Sequence, residues 1–232
     1  MPSGLLISFD GLDSSGKATQ SKRLYEHLVS QGVLARYFTS PDYTTASGKE
    51  LKLRLQGKLG DWNTTPWEEK MKYFADNRAE HLGEVNEILS QDGVVIYDRY
   101  VPSSMAFIVE EAMKQGMHAR TDVQAAVSAM EYQANTMPYE DASLFFDIPP
   151  QIAIDLLEGR KHNHGDAAEY TDYIHVQEAL HAEYLRMVKE QPDHILHVQC
   201  MDGSRLRSIE EVSHIVRSLL AEKFPDRAHL FA

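Results

Sequence analysis

The sequence predicts an α/β fold, a three-layer α/β/α sandwich built on a parallel sheet of five strands. Apolar runs of strand length, each bounded by turn residues, lie at 5–10, 34–39, 93–97, 143–148 and 194–199. Stretches long enough for helices separate them, as the crossovers between parallel strands require. Helices are therefore expected on both faces of the sheet.

Periodicity and terminal residues place these helices. Gly32 ends the first, a proline opens the second, and an Asp92-Gly93 pair stops it. The predicted helices cover 17–30, 66–90, 102–115, 121–135, 149–159, 169–190 and 208–224. The sequence shows no repeat or linker, so one domain over 1–232 is expected. The polar, glycine-containing segment 160–168 is expected to be a mobile lid.

The composition is typical of a globular protein and argues against several other classes. With 232 residues, 43% hydrophobic and 25% charged, the chain can bury a full core. A formal net charge of -12 argues against a protein that coats nucleic acid. The apolar run at 5–9 is too short for a membrane span, and a single cysteine, Cys200, forms no internal disulfide. We expect a cytoplasmic protein with neither a nucleic-acid nor a membrane partner.

A phosphate-binding loop follows the first strand. Residues 11–19, GLDSSGKAT, satisfy G-x-x-x-x-G-K between a predicted strand and a predicted helix. The glycines let successive N–H groups face an anion, while the helix N-terminus and the lysine add positive charge. The residues predicted to line this polyphosphate cradle are Gly11, Ser14, Ser15, Gly16, Lys17, Ala18 and Thr19. The alternative is a glycine-rich turn that binds nothing.

Ala18 stands where this motif ordinarily has a Ser or Thr whose hydroxyl binds magnesium. Magnesium must then be held differently. Because Mg²⁺ tends to retain several water molecules, Asp13 or Asp98 could hold it through water. The Thr19 hydroxyl could reach the phosphates.

Four motifs, in their order and spacing, resemble the thymidylate kinase family over nearly the whole chain. They are the phosphate loop with its internal acid, the segment FADNR at 74–78, the triplet DRY at 98–100 and the acids Asp166 and Glu169. The resemblance implies a fold of the P-loop NTPase type with sheet order 2-3-1-4-5, and a homodimer. It also implies ATP and Mg²⁺ as cofactors and dTMP as the substrate.

The helical segment predicts a place for the base. Phe74 and Arg78 are four residues apart, so a ring could stack on a base while a guanidinium donates to its carbonyl. On this segment alone, a core phenylalanine beside a surface arginine is the simpler explanation. The resemblance favours the binding role. It also places Ser104 and Phe107 beside the base, and Tyr43 in a loop over the acceptor nucleotide.

Asp98 and Arg99 follow a strand, and ligands of open parallel sheets bind at the carboxyl ends of strands. The resemblance implies that Arg99 bridges the donor and acceptor phosphates and that Asp98 organises the magnesium shell. It also implies that Asp13 lies near the sugar 3′-hydroxyl or the metal. A surface salt bridge is the alternative for Asp98 and Arg99.

The lid is expected to complete the site. Because Ser14 stands where some relatives have arginine, the cation that stabilises the transition state is expected from the lid, where Arg160 and Lys161 are available. Asp166 and Glu169 match the acids of the family's lid, and Asp166 is a further candidate for binding magnesium through water.

Together these motifs predict direct, in-line transfer of the terminal phosphoryl group of ATP to dTMP. The predicted catalytic residues are Lys17, Arg99, Asp13 and Arg160. Two alternatives stay open. A kinase for another pyrimidine monophosphate, such as dUMP, fits Ser104 and Ala168, two departures from the family near the base. A catalytically weak nucleotide-binding protein fits Ala18 and the uncharged Tyr43.

Overall fold

The structure is a computed structural model that describes residues 4–117, 119–164 and 174–232. The five predicted strands are confirmed as β1 (Leu5–Gly11), β2 (Ala35–Thr39), β3 (Val94–Asp98), β4 (Ala142–Asp147) and β5 (Ile195–Gln199). They form one parallel sheet in the predicted order β2-β3-β1-β4-β5. A short antiparallel pair, β6 (Met201–Asp202) and β7 (Arg205–Leu206), follows β5.

Helices cover both faces of the sheet. They are α1 (Lys17–Ser30), α2 (Ala46–Leu55), α3 (Trp67–Ala79), α4 (Leu82–Ser90), α5 (Val101–Lys114), α6 (Arg120–Ser128), α7 (Pro150–His164), α8 (Ile174–Glu190) and α9 (Ile209–Lys223). Alternation along β1 divides its side chains between two cores. Leu5, Ile7 and Phe9 belong to the cluster shared with α1, α8 and α9. Leu6 belongs to the cluster shared with α3, α4, α5 and α6, so the three-layer sandwich is confirmed.

The segment predicted as one helix over 66–90 is two helices, α3 and α4. Between them, the Glu80 carboxylate accepts a hydrogen bond of 3.1 Å from the Ser47 N–H at the start of α2. This bond ties the turn to a neighbouring helix. α3 then packs on α5, whereas α4 packs on β2 and β3. Both halves keep an apolar face inward, so the sequence period does not reveal the change of direction.

The predicted lid starts at residue 160, which is before the end of the helix that precedes it. α7 continues to His164, so residues 160–164 of the predicted loop 160–168 are helical. Arg, Lys, His and Asn carry a helical backbone at small cost, and the next glycine is Gly165. Because residues 160–164 are polar, the apolar period that predicts a helix stops before the helix itself ends. The rest of the predicted lid, with Asp166, Ala168 and Glu169, lies outside the described residues.

Two further elements were not predicted. α2 lacks a strong apolar stripe, and its N-terminus is capped by Thr45, whose hydroxyl accepts from the Gly48 N–H at 3.1 Å. The helix predicted over 121–135 changes into a π turn at Ala129–Ala134. Within the described part of the chain, no helix combines the length and the apolar character needed to cross a bilayer.

Candidate active site

The phosphate loop has the backbone that the sequence predicts. β1 ends at Gly11 and α1 begins at Lys17, with φ of 144° at Gly11, 59° at Ser14 and 91° at Gly16. A Cβ on Gly11 would lie 2.9 Å from the Phe146 carbonyl oxygen, so this position requires glycine. The hydroxyls of Ser14 and Ser15 are buried and have no hydrogen-bond partner among the described residues. An anion in the loop would satisfy them.

Lys17 lies within this loop and is only 6% exposed. Its Nζ donates to the Leu12 carbonyl oxygen at 2.8 Å and is 4.0 Å from the Asp13 carboxylate. Burial, followed by repulsion from Arg99, lowers the pKa of Lys17 to about 8, although nearby carboxylates act in the opposite direction. The amine is therefore mostly protonated at pH 7, and an incoming phosphate would stabilise its charge.

Arg99 joins the end of β3 to the phosphate loop. Its guanidinium donates to the Gly11 carbonyl oxygen at 3.0 Å and to the Asp13 carboxylate. Asp13 also accepts from the Gln177 side chain of α8 at 3.4 Å. The predicted sugar or metal role of Asp13 stays a prediction, since its carboxylate here forms an ion pair with Arg99.

Asp98 lies beside Arg99 and is 8% exposed. Its Oδ2 accepts a hydrogen bond of 3.4 Å from the Tyr37 hydroxyl, while Oδ1 is buried without a hydrogen-bond partner in the described residues. The described residues contain no group of three or more His, Cys, Asp or Glu side chains that could hold a metal ion directly. A cation at Asp98 would have to keep most of its ligands as water or phosphate.

A pocket opens from the phosphate loop and encloses about 770 Å³ of empty space, part of it open to solvent. All residues predicted to bind the substrate line it: Asp13, Tyr43, Phe74, Arg78, Arg99, Ser104 and Phe107. The rings of Phe74 and Phe107 meet edge to face with centroids 5.3 Å apart. They form an apolar wall suited to a planar base. The structure thus brings together residues of the phosphate loop, the FADNR segment and the DRY triplet with Tyr43 and two residues of α5.

Residues 14–19 of the phosphate loop are not part of this lining. Ala18 and Thr19 are exposed at the start of α1, while Ser15 and Lys17 are buried within the loop. The loop and the pocket therefore form two adjoining compartments. Arg160 falls within α7, and Asp166 lies outside the described residues.

Arg78 lines the pocket and is only 1% exposed. It donates to both carboxylate oxygens of Glu131, at 3.1 and 2.9 Å, and to the hydroxyls of Ser40 and Ser104. Burial alone would lower the pKa of Arg78, but the Glu131 carboxylate outweighs it and holds that pKa above its ordinary range. Arg78 is thus a fixed cation in the wall of the pocket.

Sequence reasoning missed two buried carboxylates that organise the site. Asp10, at 0% exposure, accepts from the backbone N–H groups of Tyr100 and Ser103, both at 3.1 Å, and fixes the start of α5. Glu131 anchors Arg78. Each interrupts an otherwise apolar pattern: Asp10 in a buried strand, and Glu131 four residues after the buried Val127. A charged residue at a position where the pattern predicts a buried apolar one was the sequence signal that could have revealed them.

The sheet, the phosphate loop at its carboxyl edge and the adjoining pocket define a P-loop phosphotransferase. The model of the family described as thymidylate kinase matches residues 9–208 of the chain. The chain therefore belongs to the thymidylate kinase family, whose members are nucleoside monophosphate kinases.

Individual relatives agree with this assignment. The thymidylate kinase of Caldanaerobacter subterraneus subsp. tengcongensis is 29% identical over 199 residues, covering 85% of this chain and 88% of the relative. That of Oceanobacillus iheyensis is 26% identical over 224 residues, covering 95% and 92%. The thymidylate kinase of Schizosaccharomyces pombe is 28% identical over 220 residues, covering 94% and 92%.

Proposed function

We propose that this chain transfers the γ-phosphoryl group of ATP to the 5′-phosphate of dTMP, giving ADP and dTDP. An acceptor phosphate oxygen attacks the γ-phosphorus, and the bond from that phosphorus to the β-phosphate oxygen breaks. One observation carries the proposal. The phosphate loop and the apolar pocket meet at Gly11, Leu12 and Asp13, so a triphosphate in the first compartment adjoins a nucleotide in the second.

The loop residues are suited to the donor. Its backbone N–H groups, the hydroxyls of Ser14 and Ser15, and the Lys17 ammonium would bind the β- and γ-phosphates. The Lys17 ammonium donates a hydrogen bond to the Leu12 carbonyl oxygen. We propose that the γ-phosphate replaces this carbonyl as the partner of Lys17. The charge is then held inside a site of low water content, where it stabilises the transition state most strongly.

The pocket residues are suited to the acceptor. Phe74 and Phe107 would hold the base against their rings, while Arg99 would place the 5′-phosphate opposite the γ-phosphate. Arg99 already lies against the phosphate loop through Gly11 and Asp13. A bidentate cation at this junction can contact donor and acceptor together. Arg160, which lies in α7, is proposed as the cation that stabilises the transition state.

Magnesium fits the site through Asp98. The buried Oδ1 of this carboxylate has no hydrogen-bond partner in the described residues, and it can accept from the water shell of a cation. When bound, Mg²⁺ neutralises charge on the β- and γ-phosphates. An Ala18→Ser variant tests this arrangement: the magnesium concentration needed to bind an ATP analogue should be unchanged. A large fall in that concentration would show that the missing hydroxyl limits metal binding.

A coupled assay of ADP release with dTMP, dUMP, dCMP and dGMP tests the proposed function. dTMP should give the highest kcat/KM, and the Lys17→Met variant should be inactive with every acceptor. Preference for dUMP would identify a kinase for another pyrimidine monophosphate. Tight ATP binding without turnover would identify a nucleotide-binding protein. Family membership also supports a homodimer, which sedimentation velocity can test.

A further inference from the structure

Glu131 is a buried carboxylate that does not itself line the pocket but pairs with Arg78, which does. The ion pair that it forms with Arg78 has a side-chain exposure of 1% at both partners. Among the described residues, Arg78 supplies the hydrogen bonds to this carboxylate, one to each oxygen. A buried carboxylate with a single bidentate partner fixes the plane of that partner's guanidinium.

The backbone around Glu131 is built to direct the side chain inward. α6 buries Val123 and Val127, and Glu131 is the next residue on the same stripe. At this point the helix widens into a π turn, in which the Asn135 N–H donates to the Met130 carbonyl at 3.0 Å. Turns of this kind occur mostly as single-turn bulges inside α-helices and are frequent at functional sites.

Most N–H groups of the Arg78 guanidinium already donate hydrogen bonds. A guanidinium has five N–H groups, and four of those in Arg78 are used by Glu131, Ser40 and Ser104. The fifth, on Nη1, has no hydrogen-bond partner in the described parts of the chain. The guanidinium also lies over the Tyr100 ring, with its central carbon 5.3 Å from the centroid. It is therefore held on its edges and on one face.

We propose that Glu131 is a positioning residue that sets base specificity by holding the last N–H of Arg78 toward the base. This inference rests on the proposed function. A fixed N–H donor favours a base with a carbonyl oxygen at that place and disfavours one with an amino group, because two donors would face each other unpaired. Thymine and uracil have such a carbonyl, and cytosine has an amino group.

Replacing the carboxylate should loosen this selection. In a Glu131→Gln variant, one of the two acceptor oxygens becomes an NH₂ group that opposes an Arg78 N–H. The guanidinium is then free to rotate and present other edges to the pocket. The ratio of kcat/KM for dTMP to that for dCMP should fall at least about tenfold, because a hydrogen-bonding site discriminates through groups left unpaired. Calorimetry without ATP should show weaker binding of dTMP and unchanged or tighter binding of dCMP.

Glu111→Gln is the matched control. Glu111 forms an equally enclosed ion pair with Lys70, with side-chain exposures of 4% and 1%, and neither residue lines the pocket. This variant should lose a similar amount of stability while keeping the ratio of the wild type. A folded Glu131→Gln protein whose ratio equals that of the control would overturn the proposal.

A second variant covers the case in which Glu131→Gln does not fold. Glu131→Asp keeps the negative charge but shortens the side chain by one methylene, so the carboxylate can no longer reach both Nε and Nη2 of Arg78 from the same backbone position. It should lower the dTMP to dCMP ratio about threefold, and an unchanged ratio would then count against the proposal. A wild type that phosphorylates no monophosphate would refute the proposed function itself. If the wild type prefers dTMP and a folded Glu131 variant keeps the same preference, only the role of Glu131 is refuted.

Discussion

Replacing Lys17 by methionine should make the folded protein more stable while removing its activity. The folded state lowers the pKa of this amine from 10.5 to about 8, mainly through burial. The folded protein therefore disfavours the charged form that predominates at pH 7. Methionine fills a similar volume without a charge to desolvate.

The magnitude follows from proton linkage. One pKa unit corresponds to about 1.4 kcal/mol, so the penalty for the charged amine is about 3 kcal/mol at pH 7. Removing the hydrogen bond from Lys17 to the Leu12 carbonyl, 2.8 Å long, offsets part of this gain. That loss costs about 1 kcal/mol. The free energy of unfolding of the Lys17→Met protein should therefore be about 2 kcal/mol higher than that of the wild type at pH 7.

The dependence on pH has a definite sign. Between pH 8 and 10.5, the unfolded chain binds more protons at Lys17 than the folded protein, so this site makes the wild type more stable as pH rises. The advantage of the methionine variant should therefore shrink above pH 8 and reach about zero near pH 10. Tyrosines that titrate in this range are common to both proteins, and their contributions cancel in the difference.

Urea unfolding followed by tryptophan fluorescence at pH 7, 8, 9 and 10 would measure this difference. Lys22→Met, an exposed lysine on the same helix, is the control and should change stability by less than about 0.5 kcal/mol. Turnover of the Lys17 variant should fall by about 10³-fold or more. If Lys17→Met is less stable than the wild type at pH 7, or its advantage grows with pH, the burial argument is wrong.

Three other changes test the site and its frame. Arg99→Lys keeps a charge but loses the bidentate geometry, so kcat should fall about 100-fold in steady-state assays with a smaller change in the KM for ATP; an unchanged kcat would contradict a phosphate-bridging role. Gly48→Ala would place a Cβ 1.7 Å from the Asp42 carbonyl oxygen, so thermal unfolding should show a loss of about 2–4 kcal/mol, and an unchanged unfolding midpoint would contradict this close approach. Burial alone would raise the pKa of Asp147, but hydrogen bonds from two histidines hold it well below the ordinary 3.8. Stability from this carboxylate is present above pH 4 and is lost as pH falls through the folded pKa; the acid-unfolding difference from Asp147→Asn should therefore shrink at low pH, and a constant difference would refute the assignment.

The sequence by itself determined the elements with strong local signals. The strand–loop–helix unit around Gly11 and Lys17 was predictable because a phosphate loop needs glycine, lysine and two flanking elements within a few residues. The strand order and the residues that line the pocket followed from motif order and family resemblance, and the structure confirms that the predicted substrate residues lie together.

Only the tertiary structure decided how those residues are held. Glu131 and Arg78 are far apart in the chain, and their pairing depends on how the π turn at Ala129–Ala134 packs against α3, which no local period encodes. The break near Glu80 likewise depends on a neighbouring element, because the Glu80 carboxylate accepts a hydrogen bond from the Ser47 N–H of α2. Local sequence sets the cost of each backbone conformation. Contacts between distant segments decide which buried charges meet, because a buried carboxylate is stable only where a partner is already in place.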